Sequence, residues 1–354
     1  MARTQDVPAP DQLKVNMQNT KIVLAKRPVG EPDDSCFSLV REDVPALEEG
    51  QVLIKVLWLS LDPYMRGRMN DVKSYAKPLQ LGDVMPGESA GVIVQSHSQR
   101  YAVGDHVTIH KGWQSMIVAD DAEPMLMKAD LANGTLSAHL GVVGMPGRTA
   151  YFGLLELGRP VPGETLVVAA ASGAVGSVVG QLAKLLGLRV VGIAGGAQKC
   201  RYVKEELGFD ECLDYREGDL AAALTEACPR GIDIYFENVG GDVTRAVGPL
   251  LNKGARVPIC GYVSSYNDDD ISKSVLPFQI LKALPEVPEH RFFLVSEWFE
   301  RWPEATRQLG QWVREGKLKY RETTGVGLEQ APEYFRGLLR GRNFGKQLVK
   351  VADE

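Results

Sequence analysis

The hydrophobic rhythm of this chain changes twice along its length. Up to about residue 140, short apolar or alternating runs are separated by Pro and Gly turns. Lys21 to Ala25, Gln51 to Leu61, Ser89 to Ser96 and His106 to Ile109 are predicted strands, with Gly104-Asp105 turning into the last of them. From Thr165 the pattern alternates strand with helix. Thr165 to Ala170 is a continuous apolar run, as a strand buried on both faces must be. Val175, Val178, Val179, Leu182 and Leu186 then recur at helical spacing, and Arg189 to Ala194 reads as the next strand. Glu211 to Asp214, Ile232 to Glu237, Ala255 to Cys260 and Arg291 to Val295 bring the predicted set to six. Strands alternating with helices imply an α/β, doubly wound parallel sheet with right-handed crossovers. A third rhythm begins near Leu318, with a predicted helix over Ala331 to Leu339 and a strand over Gln347 to Val351. The change from the first pattern to the second falls within Gly141 to Thr149, and no solenoid repeat or low-complexity tract interrupts either.

At 354 residues the chain exceeds one ordinary domain, so two are expected. A net charge of −5 with no basic block excludes an electrostatic case for nucleic acid or an anionic membrane as partner. No apolar run reaches the length of a bilayer span, and MARTQDVPAPDQ has no apolar core of the signal-peptide kind. The five cysteines are odd in number and scattered, which suits free thiols and a cytoplasmic location.

The chemistry concentrates between the first two predicted strands of the sheet. Ala171-Ser172-Gly173-Ala174-Val175-Gly176 stands where a dinucleotide-binding chain carries G-x-G-x-x-G, with alanine first. Gly173 lets backbone approach a pyrophosphate, Gly176 lets the helix approach the strand, and the helix start offers free N–H groups. An NAD site usually ends the second strand in Asp or Glu, to hold the ribose 2′-hydroxyl. Here the chain reads Gly195-Gly196-Ala197-Gln198-Lys199, with no carboxylate before Glu205. Repulsion of a 2′-phosphate is removed and Lys199 adds attraction, which favours NADP(H). The bland alternative is a tight strand–helix turn followed by a solvated lysine.

Seven segments extend this reading: SLDPYMRGRM (60–69), GMPGRTAY (144–151), AASGAVGSVVGQLAK (170–184), GGAQKCRYV (195–203), FENVGG (236–241), CGYVSSYN (260–267) and GRNFGKQLV (341–349). Together and in this order they resemble the medium-chain dehydrogenase/reductase superfamily. The likeness is to its zinc-independent branch of NADPH-dependent double-bond reductases, the branch of leukotriene B4 12-hydroxydehydrogenase, plant 2-alkenal reductases and bacterial curcumin reductase. The resemblance implies a GroES-like β-barrel domain over 1–140, completed by 318–354, and a Rossmann NADP(H)-binding domain over 141–317. It also implies a homodimer. The superfamily's zinc enzymes place histidine in a G-H-E segment and cysteine three residues before the matching aspartate. This chain has Gly87 before Glu88, and Leu59 three residues before Asp62, so no metal is expected.

Without zinc, charge developed by hydride addition is easier to hold when spread into an enolate than as a full alkoxide. That favours reduction of the carbon–carbon double bond of an enone or enal, by hydride transfer to the β-carbon with a hydrogen-bond donor at the carbonyl oxygen. The resemblance puts Tyr266 in that donor role, with Tyr64 close behind. Tyr266 also falls just past the carboxyl end of the fifth strand, where such sheets bind ligands. The resemblance further implies cofactor contacts. Ala174, Val175, Gly176 and Ser177 beside Gly173 would cover the pyrophosphate, and Lys199 and Tyr215 would hold the 2′-phosphate end. Asn238 would meet the ribose or nicotinamide. Cys260, Gly261, Tyr262 and Tyr266 would wall the nicotinamide with Phe293, Leu294 and Val295. Asn343, Met145 and Thr149 would complete the set.

Two alternatives stay open at this level: a zinc-free carbonyl/alcohol oxidoreductase, and an NADPH-binding sensor without turnover. The five histidines show no ligand spacing and read as surface or core residues. Trp298, Phe299 and Trp302 read as helix packing, and Asp268-Asp269-Asp270 as a solvated loop that could rim a pocket.

Overall fold

A computed structural model of the chain describes residues 17–72, 77–268 and 273–353. The amino-terminal stretch read above, and Asp269 and Asp270, lie outside the described residues.

The first unit grows around one strand. A ribbon of β1 (Gln18–Leu24) and β2 (Phe37–Asp43) precedes β3 (Gln51–Ser60), which is buried along nearly its whole length. Helix α1 (Tyr64–Arg68) follows, then β4 (Ser89–Ser96), β5 (His106–Ile109), β6 (Met116–Asp120) and the two-residue β7 (Met127–Lys128). β3 can be so apolar because it pairs with β4 and β6, and with a strand from the far end of the chain. Beneath it, Trp113 is sealed between the ring of Phe37, stacked at 5.9 Å, and the edge of Phe335 at 5.5 Å.

The second unit opens with α2 (Met145–Phe152), which runs on as a π-helical turn to Gly158. Next come β8 (Thr165–Ala169), α3 (Gly176–Leu185), β9 (Arg189–Ala194), α4 (Ala197–Glu205), β10 (Glu211–Asp214) and α5 (Leu220–Ala227). β11 (Ile232–Phe236), α6 (Gly241–Val247), β12 (Leu251–Ile259), α7 (Pro277–Lys282) and β13 (Glu289–Phe292) complete the sheet, and α8 (Trp302–Arg314) covers it. The order is β10-β9-β8-β11-β12-β13 and every pairing is parallel. The chain winds outward from β8 to β10, then returns to start again at β11. The strand ends therefore part between β8 and β11, the switch point at which such sheets hold ligands.

All five residues of β8 are buried, and so are Val178, Val179 and Leu182 of α3. Burial of each such side chain contributes about 1.5–3 kcal/mol. α3 lies close to its neighbours because Gly180 leaves room for the Phe209 ring, which a Cβ there would meet at 1.8 Å.

The tail then leaves the second unit. β14 (Glu322–Val326), α9 (Ala331–Leu339) and β15 (Lys346–Lys350) return to the first, where β15 runs antiparallel to β3 with Leu348 opposite Ser60. The result is a seven-stranded sheet, β14-β15-β3-β4-β5-β7 with β6 on β3.

Several boundaries differ from the periodicity. β12 starts at Leu251, four residues before Ala255, and β13 runs over 289–292 where 291–295 was expected. The strand stops early because the Glu297 carboxylate accepts the Leu294 N–H at 2.8 Å and starts a short helix at Val295. The Trp298 side chain from that helix stacks on Phe152 at 5.4 Å, and Trp302 donates its indole N–H to the Val295 carbonyl at 2.9 Å, so these aromatics serve packing.

Candidate active site

The turn between β8 and α3 is built on one unusual residue. Ala170 has φ of 53°, a left-handed conformation that costs a non-glycine residue about 1–2 kcal/mol. Its carbonyl is thereby turned inward, where it accepts the Gly173 N–H at 2.9 Å. A Cβ on Gly176 would lie 2.4 Å from that same oxygen, so only glycine lets α3 start there. No side chain caps the helix, and Gly173, Ala174 and Val175 are partly open at its mouth. Ser177 is buried, its N–H given to the Gly173 carbonyl at 3.0 Å. A positive helix end with an open glycine-lined mouth fits a pyrophosphate. Across the switch point, Asn238 donates its side-chain N–H to the Ala169 carbonyl at 2.8 Å, tying the end of β11 to the end of β8.

The ends of β9 and β10 show why no acid stands at the usual place. A Cβ on Gly195 would meet the Tyr215 ring at 2.8 Å and Arg216 Nε at 2.9 Å. The space that a ribose-binding carboxylate would occupy is filled by a phenol and a guanidinium, the latter 5.6 Å from the Tyr215 ring centre. Asp214 holds this corner by accepting the Gly196 and Arg216 N–H groups at 2.9 and 3.0 Å. Lys199, on the first turn of α4, donates to the Gly341 carbonyl at 2.7 Å. Burial, and second the Arg216 charge, hold its ammonium below the ordinary value. Two cations that repel one another across a gap are what a phosphate dianion would stabilise. Arg216 stands with Lys199 at this corner, and no motif in the sequence marks it. Its only local signal is its place directly after Tyr215 at the end of a sheet strand.

The returning tail reaches this edge as well. Gly345 pairs with Gly173 in a parallel bridge, which brings the tail onto the dinucleotide turn. Asn343 spends its side-chain N–H on the Gly345 carbonyl at 2.8 Å, so it shapes its own loop.

At the end of β12, Cys260 donates its backbone N–H to the Glu237 carbonyl at 2.9 Å, and burial pushes its thiol up to about 12. A Cβ on Gly261 would stand 3.0 Å from the Tyr266 hydroxyl, so the phenol oxygen lies over this glycine. The Tyr266 ring meets Tyr262 edge-on at 5.5 Å. Phe293 is placed otherwise: its ring is buried against Phe236 at 6.1 Å and close to Gly153, in the core under the sheet. Its backbone N–H alone stays at the edge, donated to the Ile259 carbonyl at 3.3 Å. Leu294 and Val295 belong to the helix start described above. Thr149 is buried with its hydroxyl given to the Met145 carbonyl at 2.8 Å, so these two form one turn of α2.

From the first unit, Tyr64 begins α1, and its hydroxyl lies 2.8 Å from Nε2 of His110. One buried ion pair and one buried carboxyl–guanidinium contact support this side. Lys346 bonds Asp62, and Arg148 stands 3.8 Å from Glu88 while its guanidinium stacks 4.2 Å above Trp302. Burial, eased by Arg148 and reinforced by Asp62, lifts the Glu88 carboxyl to about 7.

Two family models match the chain: one described as the N-terminal domain of oxidoreductase over residues 20–127, and one described as zinc-binding dehydrogenase over residues 174–309. The NADPH-dependent curcumin reductase of Escherichia coli is 48% identical over 340 residues, covering 95% of this chain and 98% of that protein. Prostaglandin reductase 1 of Bos taurus is 41% identical over 333 residues, covering 93% and 98%. The crystal structure of CurA from Vibrio vulnificus in complex with NADPH superposes with a TM-score of 0.88 at 46% identity, covering 95% of this chain and all of that one.

The second family description implies zinc, and the residues here do not fit it. At the positions where the resemblance looks for ligands stand Leu59, wholly buried, and Gly87, where a Cβ would already meet Met65 at 3.1 Å and Trp113 at 3.2 Å. Neither carries a donor atom in its side chain, and among the described residues no cluster of three His, Cys, Asp or Glu could hold a metal.

Proposed function

The chain belongs to the medium-chain dehydrogenase/reductase family, on the branch of the curcumin and prostaglandin reductases, and we propose that it uses NADPH to reduce the carbon–carbon double bond of α,β-unsaturated ketones and aldehydes. The observation that carries this reading is identity above 40%, over nearly whole chains, with reductases of that branch. NADPH, when held by the residues named below, would supply the hydride for the β-carbon of the substrate. Everything else falls to the residues of this chain. The 173–177 turn and the α3 N-terminus hold the pyrophosphate, Asn238 lies at the ribose side, and Lys199, Arg216 and Tyr215 hold the 2′-phosphate. Cys260 to Tyr262, Met145 and the backbone of 293–295 line the nicotinamide end.

Tyr266 and Tyr64 are the donors to the substrate carbonyl. A hydrogen bond from a phenol strengthens as the carbonyl oxygen gains enolate charge, so it lowers the barrier more than it aids binding. Proton delivery to the α-carbon then completes the saturated product. A division into a substrate-side domain (1–140 with 318–354) and a cofactor domain (141–317) accords with the two sheets. A cytoplasmic homodimer accords with the family, and among the described residues no helix is long and apolar enough to cross a membrane.

The test is NADPH oxidation with 4-phenyl-3-buten-2-one, with and without EDTA, and identification of the product. A saturated ketone formed at undiminished rate with chelator is expected. An allylic alcohol would mean carbonyl reduction and overturn the assignment.

A further inference from the structure

The corner that holds Lys199 and Arg216 is closed by a residue from the other unit. Lys199, on the first turn of α4, gives its ammonium to the Gly341 carbonyl at 2.7 Å across 142 positions of sequence. Gly341 ends α9. Its N–H goes to the Leu338 carbonyl and the Arg342 N–H to the Gly337 carbonyl, both at 2.9 Å, the paired bonds of a left-handed glycine cap. Gly341 has the φ of 66° that such a cap requires, and its own carbonyl is left to meet Lys199. A Cβ on Gly341 would stand 3.8 Å from Nη2 of Arg216, so the same glycine lies beside both cations. α9 itself is rooted in the first unit, where Phe335 is wholly buried beside Trp113 and shares a core with Val349 of β15. Four residues past Gly341, Gly345 bridges to Gly173 at the dinucleotide turn. The tail therefore meets the cofactor unit at both ends of the stretch 341–345.

We infer that Lys199 is a shared donor: one N–H stays on the Gly341 carbonyl while the others take the 2′-phosphate, so that a bound phosphate clasps α9, and the sheet behind it, to the cofactor unit. This inference rests on the reading of Lys199 and Arg216 as the 2′-phosphate corner. An ammonium carries three N–H groups and the carbonyl occupies one, so the anion and the cap do not compete for it. An anion between Lys199 and Arg216 offsets their repulsion, and both cations stand against Gly341, so drawing them together closes the corner on the end of α9. Binding energy won at the phosphate is thereby used at the joint between the two units, remote from the reacting carbon, to hold both sheets in one arrangement. Gly341 is then a specificity-determining residue that acts through its backbone alone.

The test uses the full chain and two probes that differ only in the 2′-phosphate, 2′,5′-ADP and 5′-AMP, each at saturation. Hydrogen exchange over residues 335–345 should slow about fivefold or more with 2′,5′-ADP and stay at the free rate with 5′-AMP. In Lys199→Met, saturated with 2′,5′-ADP, that protection should be gone. Gly341→Val cannot keep the left-handed cap and should weaken 2′,5′-ADP about tenfold by calorimetry, with the 5′-AMP affinity unmoved. Gly341→Asn tolerates that conformation and should restore the wild-type difference between the probes. A cap of structural worth alone would shift both probes alike and would overturn the inference. Equal protection by the two probes, or protection that persists in Lys199→Met, would overturn it as well. Equal affinity of the two probes for the wild type would instead remove the reading of the corner beneath it. If Gly341→Val does not fold, the exchange comparison between wild type and Lys199→Met decides the matter.

Discussion

The Lys346 ammonium donates to Oδ1 of Asp62 at 2.7 Å, both side chains almost wholly enclosed. It joins the last strand of the chain to the turn that carries Tyr64. Asp62 completes its shell with the Ser60 hydroxyl, and Lys346 with the Leu61 carbonyl at 2.7 Å.

Removing one member of such a pair strands a buried charge. Lys346→Met is expected to cost about 3–5 kcal/mol of stability, read by urea unfolding. The double variant Lys346→Met/Asp62→Leu should recover much of that loss. Equal stability of Lys346→Met and wild type would show that the pair is not closed in solution.

The corner at Gly195 should govern cofactor choice. Lys199→Ala and Arg216→Ala are each expected to raise KM for NADPH roughly tenfold or more, with little effect on NADH, by loss of a charge-assisted bond. Gly195→Asp alone should impair both cofactors, because its Cβ meets Tyr215 at 2.8 Å. Paired with Tyr215→Ser, which clears the space, it should move preference toward NADH. Steady-state kinetics with both nucleotides distinguishes these outcomes.

Tyr266→Phe keeps the ring against Tyr262 and withdraws only the hydroxyl over Gly261. Loss of a positioned donor to an oxyanion costs about 10²–10³ in kcat, and that range is expected here with unchanged NADPH affinity. A fall in affinity with intact kcat would assign the phenol to cofactor binding.

Glu88 makes stability depend on pH in a definite direction. Its folded value of about 7 lies above its ordinary 4.5. The neutral form is the one the fold prefers, so its contribution is complete below pH 4.5 and is lost as pH rises toward 7. The loss is on the order of 3 kcal/mol. Glu88→Gln cannot ionise and should flatten the stability profile between these limits. An unchanged profile in chemical denaturation would show that Glu88 does not titrate there.

What the sequence made legible was what is local. The β8–α3 turn is encoded between Thr165 and Leu186 by an apolar run, two glycines and a helical period, and it could be read directly. The missing acid at Gly195 was visible too, but its cause was not, since Tyr215 approaches from another strand. β2 has no legible period because Phe37–Asp43 is itself exposed along most of its length, so no buried face marks it. Pairs distant in sequence left no trace at all. His110 shows no ligand spacing, and the phenol beside its Nε2 lies 46 positions earlier.

The bond between Lys346 and Asp62 spans 284 positions, and this sets a timetable for biosynthesis. The sheet around β3 cannot be completed until β15 has been translated. Until then β3 presents an open edge, and Asp62 waits without its countercharge. A nascent chain halted before Lys346 would carry a finished six-stranded sheet beside an unfinished seven-stranded one.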